Sequence, residues 1–314
     1  MDQILSTDRY AVAERLRSLH VGTPRDADFR ALIEGLLCHD ADGNLVPEAR
    51  HFTETGETRG VMVVAGSGGG KTTMIEQALT NHPALSSDDP ERVPVVSVRV
   101  PSPASTKGLG LAVLEATGYV GNGERLVERQ VWNRVRHRLK QLHTVVLWID
   151  EAQELFRTKG QQETRNMLNT IKSQMQGDGS VVVVLSGIDE LRQIASTDPQ
   201  ITRRFRTMTL REVSEAGDGD MLWSILKGYC AKAGPASPER GNLVGRLIYA
   251  CRGQFGLCIE MIVDAIELAI GERAEALDHQ HFAEVFAVHT DCDYDKNVFL
   301  STRWSQINLD RLAA

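Results

Sequence analysis

No run in this 314-residue chain approaches the ~20 apolar residues that a membrane-spanning helix needs, and the opening MDQILSTDRY has no basic stretch followed by an apolar one. Both absences set the expectation of a soluble, cytoplasmic protein. Cysteine is sparse and scattered: Cys38, Cys230, Cys251, Cys258 and Cys292 are odd in number and never in C-x-x-C spacing. That excludes a disulfide framework and a thiolate zinc site, and leaves buried, reduced thiols. Positive charge is not in excess either, with 35 Lys and Arg against 42 Asp and Glu and a net charge of −7. A uniformly basic nucleic-acid-binding body is therefore unexpected, because phosphate affinity comes largely from Lys and Arg. Local basic patches are compatible with this balance. There is no internal repeat and no low-complexity linker. What is present is an apolar fraction of 42%, ample for a packed core.

The pattern along the chain divides it into four segments. Residues 1–55 read as an N-terminal helical appendage, with Phe29, Leu32, Ile33, Leu36 and Leu37 at helix spacing. From 56 to 212, short apolar runs alternate with helical patterns: GVMVVAG (60–66), VPVVSVRV (93–100), TVVLWID (144–150), SVVVVLSG (180–187) and FRTMTLRE (205–212). Fully apolar strands separated by helices predict a parallel sheet covered on both faces, an α/β core. Residues 213–290 read as helices only, with glycines as stop signals, and form a lid. A tail follows from 291 to 314.

The first strand runs into AGSGGGKT and then a helix, the context that a phosphate-binding P-loop requires. Glycines at 66, 68, 69 and 70 let successive N–H groups point into one concavity at a helix N-terminus. Gly66, Ser67, Gly68, Gly69, Gly70, Lys71, Thr72 and Thr73 are thus candidates for cradling ATP. Lys71 would reach the β- and γ-phosphates and Thr72 would give its hydroxyl to Mg2+. Ala65 stands where the P-loop pattern has its first glycine, but it ends the strand, and the glycines after it suffice for the turn.

A magnesium nucleotide also needs an acid at the end of a neighbouring buried strand, and VVLWIDE supplies it. Asp150 is suited to holding Mg2+, mainly through water, and Glu151 to polarising the attacking water as a base. Acidic pairs also close ordinary solvated strands; the P-loop upstream favours the metal reading. Ser186, at the end of the next strand, can meet the γ-phosphate or the water, although serine is also common in turns. Arg203, Arg204 and Arg206 cluster around Phe205. Arginine clusters are commonly solvated faces, yet a guanidinium inserted at a neighbour's γ-phosphate stabilises transition-state charge. Spacing does not single out one of the three.

These phrases together resemble the AAA+ ATPases, and within them the transposition regulators of the TniB and TnsC type. The likeness is carried by GSGGGKTT, VPVVSVRVPSPASTKGLGLAVLEATG, VVLWIDEAQEL, VVVVLSGIDELRQIASTDPQITRRF and GLCIEMIVDAIELAIGE, over roughly residues 25–285. It implies an AAA+ P-loop fold with a helical lid, and a slow ATPase used as an assembly switch. It also implies a homo-oligomer, ring or helical filament, with ATP and Mg2+ between subunits. The partners it implies are double-stranded DNA, a transposase that is recruited and activated, and a target-selection protein. By the same resemblance Arg204 is the arginine finger acting in trans and Ser186 the sensor-one residue. The chain departs from the pattern around GQFGLCIE, which lacks a sensor-two arginine, and at Gln153, where similar sequences often carry histidine.

Two regions are candidates for DNA. The loop PSPASTKGLG places Ser105, Thr106 and Lys107 beyond a strand end, suited to a phosphate backbone, and related regulators contact DNA from this region. The helix ERLVERQVWNRVRHRLKQ has an inward stripe of Val127, Val131, Val135 and Leu139. Its Arg129, Arg134, Arg136 and Arg138 then read as a solvated face before a DNA-binding one. His279 and His281 do not share a helix face, and DCDYDKNVFLST lacks the glycine and glutamate of a calcium loop, so neither predicts a metal. The apolar tail around Trp304 reads as a strap on the core or a docking peptide. Other readings of the same motifs are a loader or remodelling ATPase acting on a protein, and, with less support, a small-molecule kinase.

Overall fold

A computed structural model describes residues 2–121, 125–157 and 160–312. The described residues form two compact units, one within 22–66 and 71–210, the other within 1–21, 67–70 and 211–314.

In the first unit the five apolar runs form one parallel sheet. Its strands are β3 (Gly60–Val64), β4 (Val95–Arg99), β5 (Val146–Asp150), β6 (Val182–Gly187) and β7 (Phe205–Thr209), in the order β4-β5-β6-β3-β7. The central strands are buried along their whole length, as parallel strands sandwiched by helices must be. Alternation at period two assigns their faces. Met62, Val64, Leu147, Ile149, Val183 and Leu185 point to one core, and Val61, Val63, Val146, Trp148, Val182 and Val184 to the other. The first face is covered by α4 (Thr106–Ala116), α5 (Glu128–Gln141) and α6 (Gln161–Gln174), through Leu109, Val113, Val131, Val135, Leu139 and Met167. The second is covered by α2 (Pro24–Glu34) and α3 (Lys71–Thr80), through Phe29, Ile33, Ile75 and Leu79. Because β3 lies between β6 and β7, the chain leaves it at a point where the strand order reverses. Ligands of open α/β sheets bind at such points, beyond the carboxyl ends of the strands.

The segment read as helical over residues 1–55 is not helical throughout. After α1 (Asp2–Arg17) and α2 comes an antiparallel pair, β1 (Leu37–His39) and β2 (Leu45–Ala49). The turn between them is built by Asp40, whose Oδ1 accepts the N–H groups of Asp42 and Asn44 at 2.9 Å each, with Gly43 at φ +84°. That local chemistry, Asp40 and, after Ala41, the run Asp-Gly-Asn, is the signal that apolar spacing alone passed over. The inward stripe of α5 also shifts. Val131, Trp132, Val135 and Leu139 are buried, whereas Val127 is 64% exposed at the N-cap, one residue outside the helix. Glu124, at the start of that quoted phrase, lies outside the described residues.

In the second unit, α1 packs with α9 (Glu215–Ala233), α10 (Leu243–Ala250), α11 (Phe255–Gly271) and α12 (His279–Thr290) around one apolar core. Arg17 of α1 donates to Asp264 and Glu267 of α11 at 2.8 and 3.0 Å. The tail belongs to this core. Val298 and Phe299 are buried, Trp304 meets Tyr249 edge-on, and Arg246 donates to the carbonyls of Val298 and Ser301. Among the described residues no helix is long and apolar enough to cross a membrane.

Candidate functional site

The geometry at the end of β3 follows from glycine. Gly68 and Gly70 adopt φ of +74° and +83°, a left-handed conformation that a side chain makes costly. The loop delivers Lys71 to the first turn of α3, where it is buried and its Nζ donates to the carbonyls of Ala65 and Gly66 at 3.1 Å each. Burial pushes the Lys71 ammonium below the usual lysine range, while Glu151 and Asp150 pull it back up. The cation is thus held by two neutral carbonyls, with anionic charge close by.

Thr72, next in the helix, donates from Oγ1 to Asp150 Oδ2 at 3.1 Å. Asp150 ends β5 and is 8% exposed. Its other oxygen, Oδ1, accepts from Ser186 Oγ at 2.6 Å, and Ser186 accepts in turn from Trp148 Nε1 at 2.8 Å. The hydroxyl of Ser186 therefore spends its one proton on Asp150. The sequence reading lets Ser186 meet a γ-phosphate or the water; in this arrangement its hydroxyl is bonded to the strand-end acid. Trp148, which sequence reasoning passed over, completes the chain from β5 to β6 and back.

Glu151 follows in a left-handed turn at φ +54° and lines a cavity of about 310 Å³ with Arg99, Val100, Pro101, Ser102, Ala104 and Glu154. Gln153 Nε2 donates to Glu151 Oε2 at 2.5 Å. Lys71, Thr72, Asp150, Glu151 and Ser186 thus converge at the carboxyl ends of β3, β5 and β6. Among the described residues no cluster of three or more His, Cys, Asp or Glu side chains could hold a metal by itself. The adjacent hydroxyl of Thr72 and carboxylate of Asp150 are hard oxygen donors. That set fits Mg2+, which binds one or two protein oxygens and keeps phosphate and water as its remaining ligands.

Arg204 is not in this group. It ends α8 (Pro199–Arg204), is 4% exposed, and donates from Nη2 to Glu57 Oε2 at 2.8 Å and from Nη1 to the Lys172 carbonyl at 3.3 Å. Arg203 shares the same carboxylate at 3.0 Å but has a side chain 65% exposed. The sequence expectation gives Arg204 to a neighbour's pocket; here Arg204 is buried against Glu57, while Arg203, paired with the same carboxylate, and Arg206, on β7, are exposed. Glu57 carried no signal, because its partners lie 146 and 147 residues downstream.

The DNA candidates are also placed. Ser105 caps α4, its Oγ accepting from the Gly108 N–H at 2.9 Å, and Thr106 opens that helix with Lys107 after it. On α5, Arg134 donates to the Tyr119 hydroxyl, Arg136 to the Ser173 and Gln176 carbonyls and Arg138 to the Thr117 carbonyl. These arginines brace neighbouring segments. Around the missing sensor-two arginine, the Leu257 N–H donates to the Gly68 carbonyl at 3.2 Å.

The chain is similar to several known proteins. The chain is 26% identical over 211 residues to a Micrococcus luteus protein described as an AAA ATPase forming ring-shaped complexes, covering 61% of this chain and 33% of that one. It thus spans about a third of that relative's length. Among solved structures, the Aeropyrum pernix Orc1 protein in complex with DNA superposes with TM-score 0.55 at 18% identity, over 76% of this chain and 61% of its own. The Aeropyrum pernix Orc2 protein in its ADPNP and ADP complexes gives 0.54 at 13% identity, over 74% and 63%. Likeness at these identities establishes the α/β P-loop fold of the AAA+ ATPases. The profile of the bacterial TniB protein family matches residues 48–215, which takes in β3 to β7, the P-loop and the strand-end acids and amounts to more than half of the sequence. On that match, the chain belongs to the TniB family.

Proposed function

We propose that this chain is an ATPase switch for DNA transposition. It assembles on double-stranded DNA while ATP is bound between subunits, presents that DNA to a transposase, and disassembles on hydrolysis. The observation that carries the reading is the contact of Thr72 with Asp150, which joins the P-loop to the strand-end acid beside Glu151 in a TniB-family chain.

Each residue has a role that follows from its placement. The carbonyls of Ala65 and Gly66 hold Lys71 in place, where the β- and γ-phosphates of ATP would replace them and add to the counter-charge of Asp150 and Glu151. Backbone N–H groups of residues 66–70 and of the first turn of α3 receive the remaining phosphate oxygens, with Thr73 at the same helix end. Thr72 and Asp150 would hold Mg2+, which when bound would neutralise charge on the phosphates. Ser186 fixes the rotamer of Asp150. Glu151 takes a proton from the attacking water as the water oxygen bonds to the γ-phosphorus and the bond from that phosphorus to the β,γ-bridging oxygen breaks, so that ADP leaves with the electron pair and inorganic phosphate is formed. Ser105, Thr106 and Lys107 follow a DNA backbone, and repetition of a weak contact in every subunit makes the binding tight despite the net negative charge.

ATP or a non-hydrolysable analogue together with duplex DNA is expected to give large oligomers that dissolve as salt is raised, measured by light scattering or electron microscopy. A protein that stays monomeric under those conditions contradicts the reading. Assembly with nucleotide but indifferent to duplex would instead point to a loader or remodelling ATPase acting on a protein.

The arginine pair gives a second prediction. Arg203→Ala is expected to lower turnover at least tenfold within assemblies, with ATP affinity and melting temperature close to wild type, because the side chain is exposed. Arg204→Ala is expected to lower the melting temperature as well. It leaves Glu57, only 8% exposed, with a single partner, and breaking a buried pair costs about 3 kcal/mol. Full turnover in Arg203→Ala alongside lost turnover in a folded Arg204→Ala would return the trans role to Arg204.

A further inference from the structure

A base at the end of a strand needs its carboxylate held toward the water, and secondary structure does not hold this one. Glu151 lies beyond β5, in a left-handed turn that L-residues seldom adopt. Strain of that kind persists where surrounding contacts over-determine the conformation. The contact that does so here is Gln153, whose side chain is buried at 1% exposure two residues further on.

The amide of Gln153 is used at both ends. Its Nε2 donates to Glu151 Oε2 at 2.5 Å and, more weakly, to Glu154 Oε1 at 3.4 Å. Its Oε1 accepts the backbone N–H of Ile188 at 3.3 Å, the residue that follows β6. Only one amide orientation satisfies a carboxylate, which can only accept, and a backbone N–H, which can only donate. A glycine makes the approach possible. A Cβ on Gly187 would stand 2.3 Å from Gln153 Oε1, whereas the next atom in its way, Leu191 Cδ2, is 3.1 Å off. Gly187 directly follows Ser186, whose hydroxyl holds Asp150.

The geometry points to Gln153 as a positioning residue that ties the Glu151 carboxylate to the carboxyl end of β6, so that the base and the metal-site acid are set by one strand end. This rests on the reading of Glu151 as the base. With Oε2 occupied by the amide, no donor among the described residues is bonded to Oε1, and the side chain borders the cavity where a water can approach. A displacement at Ser186–Ile188 is carried to Glu151 through a single planar group. Any side chain that offers one donor and one acceptor can serve, and a neutral imidazole does so.

The test measures ATP turnover of the full chain with duplex DNA across pH. Gln153→Leu keeps the bulk and removes both hydrogen bonds. It is expected to lower kcat about tenfold to a hundredfold, with KM for ATP within about threefold, the effect of a misaimed base. Gln153→His restores kcat to within about threefold of wild type, since it keeps a donor and an acceptor. Gln153→Glu replaces the donor with a second acceptor facing Oε2 and is expected to lower kcat as Gln153→Leu does, again with KM for ATP within about threefold. Gly187→Ala displaces the amide from the other side and is expected to reproduce the Gln153→Leu loss; it serves where Gln153→Leu does not fold. Glu151→Gln is assayed beside them. If it stops turnover while Gln153→Leu and Gly187→Ala both keep the wild-type kcat and pH profile, the positioning role is overturned and the base stands. If Glu151→Gln turns over normally, the base assignment falls, and the positioning role with it.

Discussion

Lys71→Ala is expected to remove the rise in melting temperature that the proposed ATP binding gives the wild-type chain. A ligand at a hundred times its dissociation constant stabilises the folded state by about 2.7 kcal/mol, on the order of 5 °C for a protein of this size. Lys71 is the cation through which that stabilisation passes. Without nucleotide its ammonium is buried against two carbonyls and its pKa lies below the usual lysine range. The sign of the linkage follows. A lysine whose folded pKa is depressed destabilises the fold at every pH below that folded value. The cost fades as pH rises through it towards the unfolded value of 10.5 and is gone above. Below that folded value the nucleotide-free chain bears this cost, and a bound phosphate would relieve it. The variant is expected to melt near the wild-type temperature without nucleotide, and at that same temperature with it. Differential scanning fluorimetry with and without Mg-ATP, together with binding of a fluorescent ATP analogue, reads both quantities. A Lys71→Ala protein that is still stabilised by ATP would remove the P-loop lysine from the binding site.

Glu151→Gln is expected to separate binding from turnover. The substitution keeps the side-chain length and one oxygen acceptor but removes the group that takes the proton, and general-base contributions run to about 10²–10⁴ in rate. ATP affinity should stay within a few-fold, because the phosphate-binding groups are the loop, Lys71 and Thr72. On the proposed function, assemblies on DNA should then persist when excess nucleotide is withdrawn, whereas those of the wild type should dissolve, since hydrolysis would remove the γ-phosphate proposed to hold subunits together. Phosphate release and the lifetime of the assemblies are the two measurements. Loss of turnover with unchanged lifetime would break the link between hydrolysis and disassembly while leaving the base in place.

Much of the core was legible because its signals are local. An all-apolar run of five or six residues reports a strand buried on both faces, so β3, β5 and β6 stood out directly. Four glycines before Lys71-Thr72 report a backbone that must turn left-handed and open onto a helix, and Gly68 and Gly70 do so. Asp150 and Glu151 were found because they close a strand. The hairpin of β1 and β2 was legible too, in Asp40 and the Asp-Gly-Asn after it, but a search for helical spacing does not see a turn. Val127 was misplaced for a related reason: its spacing fits the buried stripe of α5, but the helix starts one residue later.

The sequence by itself determined the chemistry that contiguous residues can state: the strands, the phosphate loop, the acids at a strand end and the helical character of the region after residue 213. The tertiary structure alone decided how those pieces are held. It set Ser186 against Asp150, Gln153 between Glu151 and the end of β6, and Glu57 on Arg203 and Arg204, leaving one guanidinium exposed and burying the other. The reason is physical. Periodicity and glycine conformations are properties of neighbours along the chain. A hydrogen bond across 36 or 147 residues depends on which strands lie side by side, and that order is fixed only when the sheet closes over its two cores.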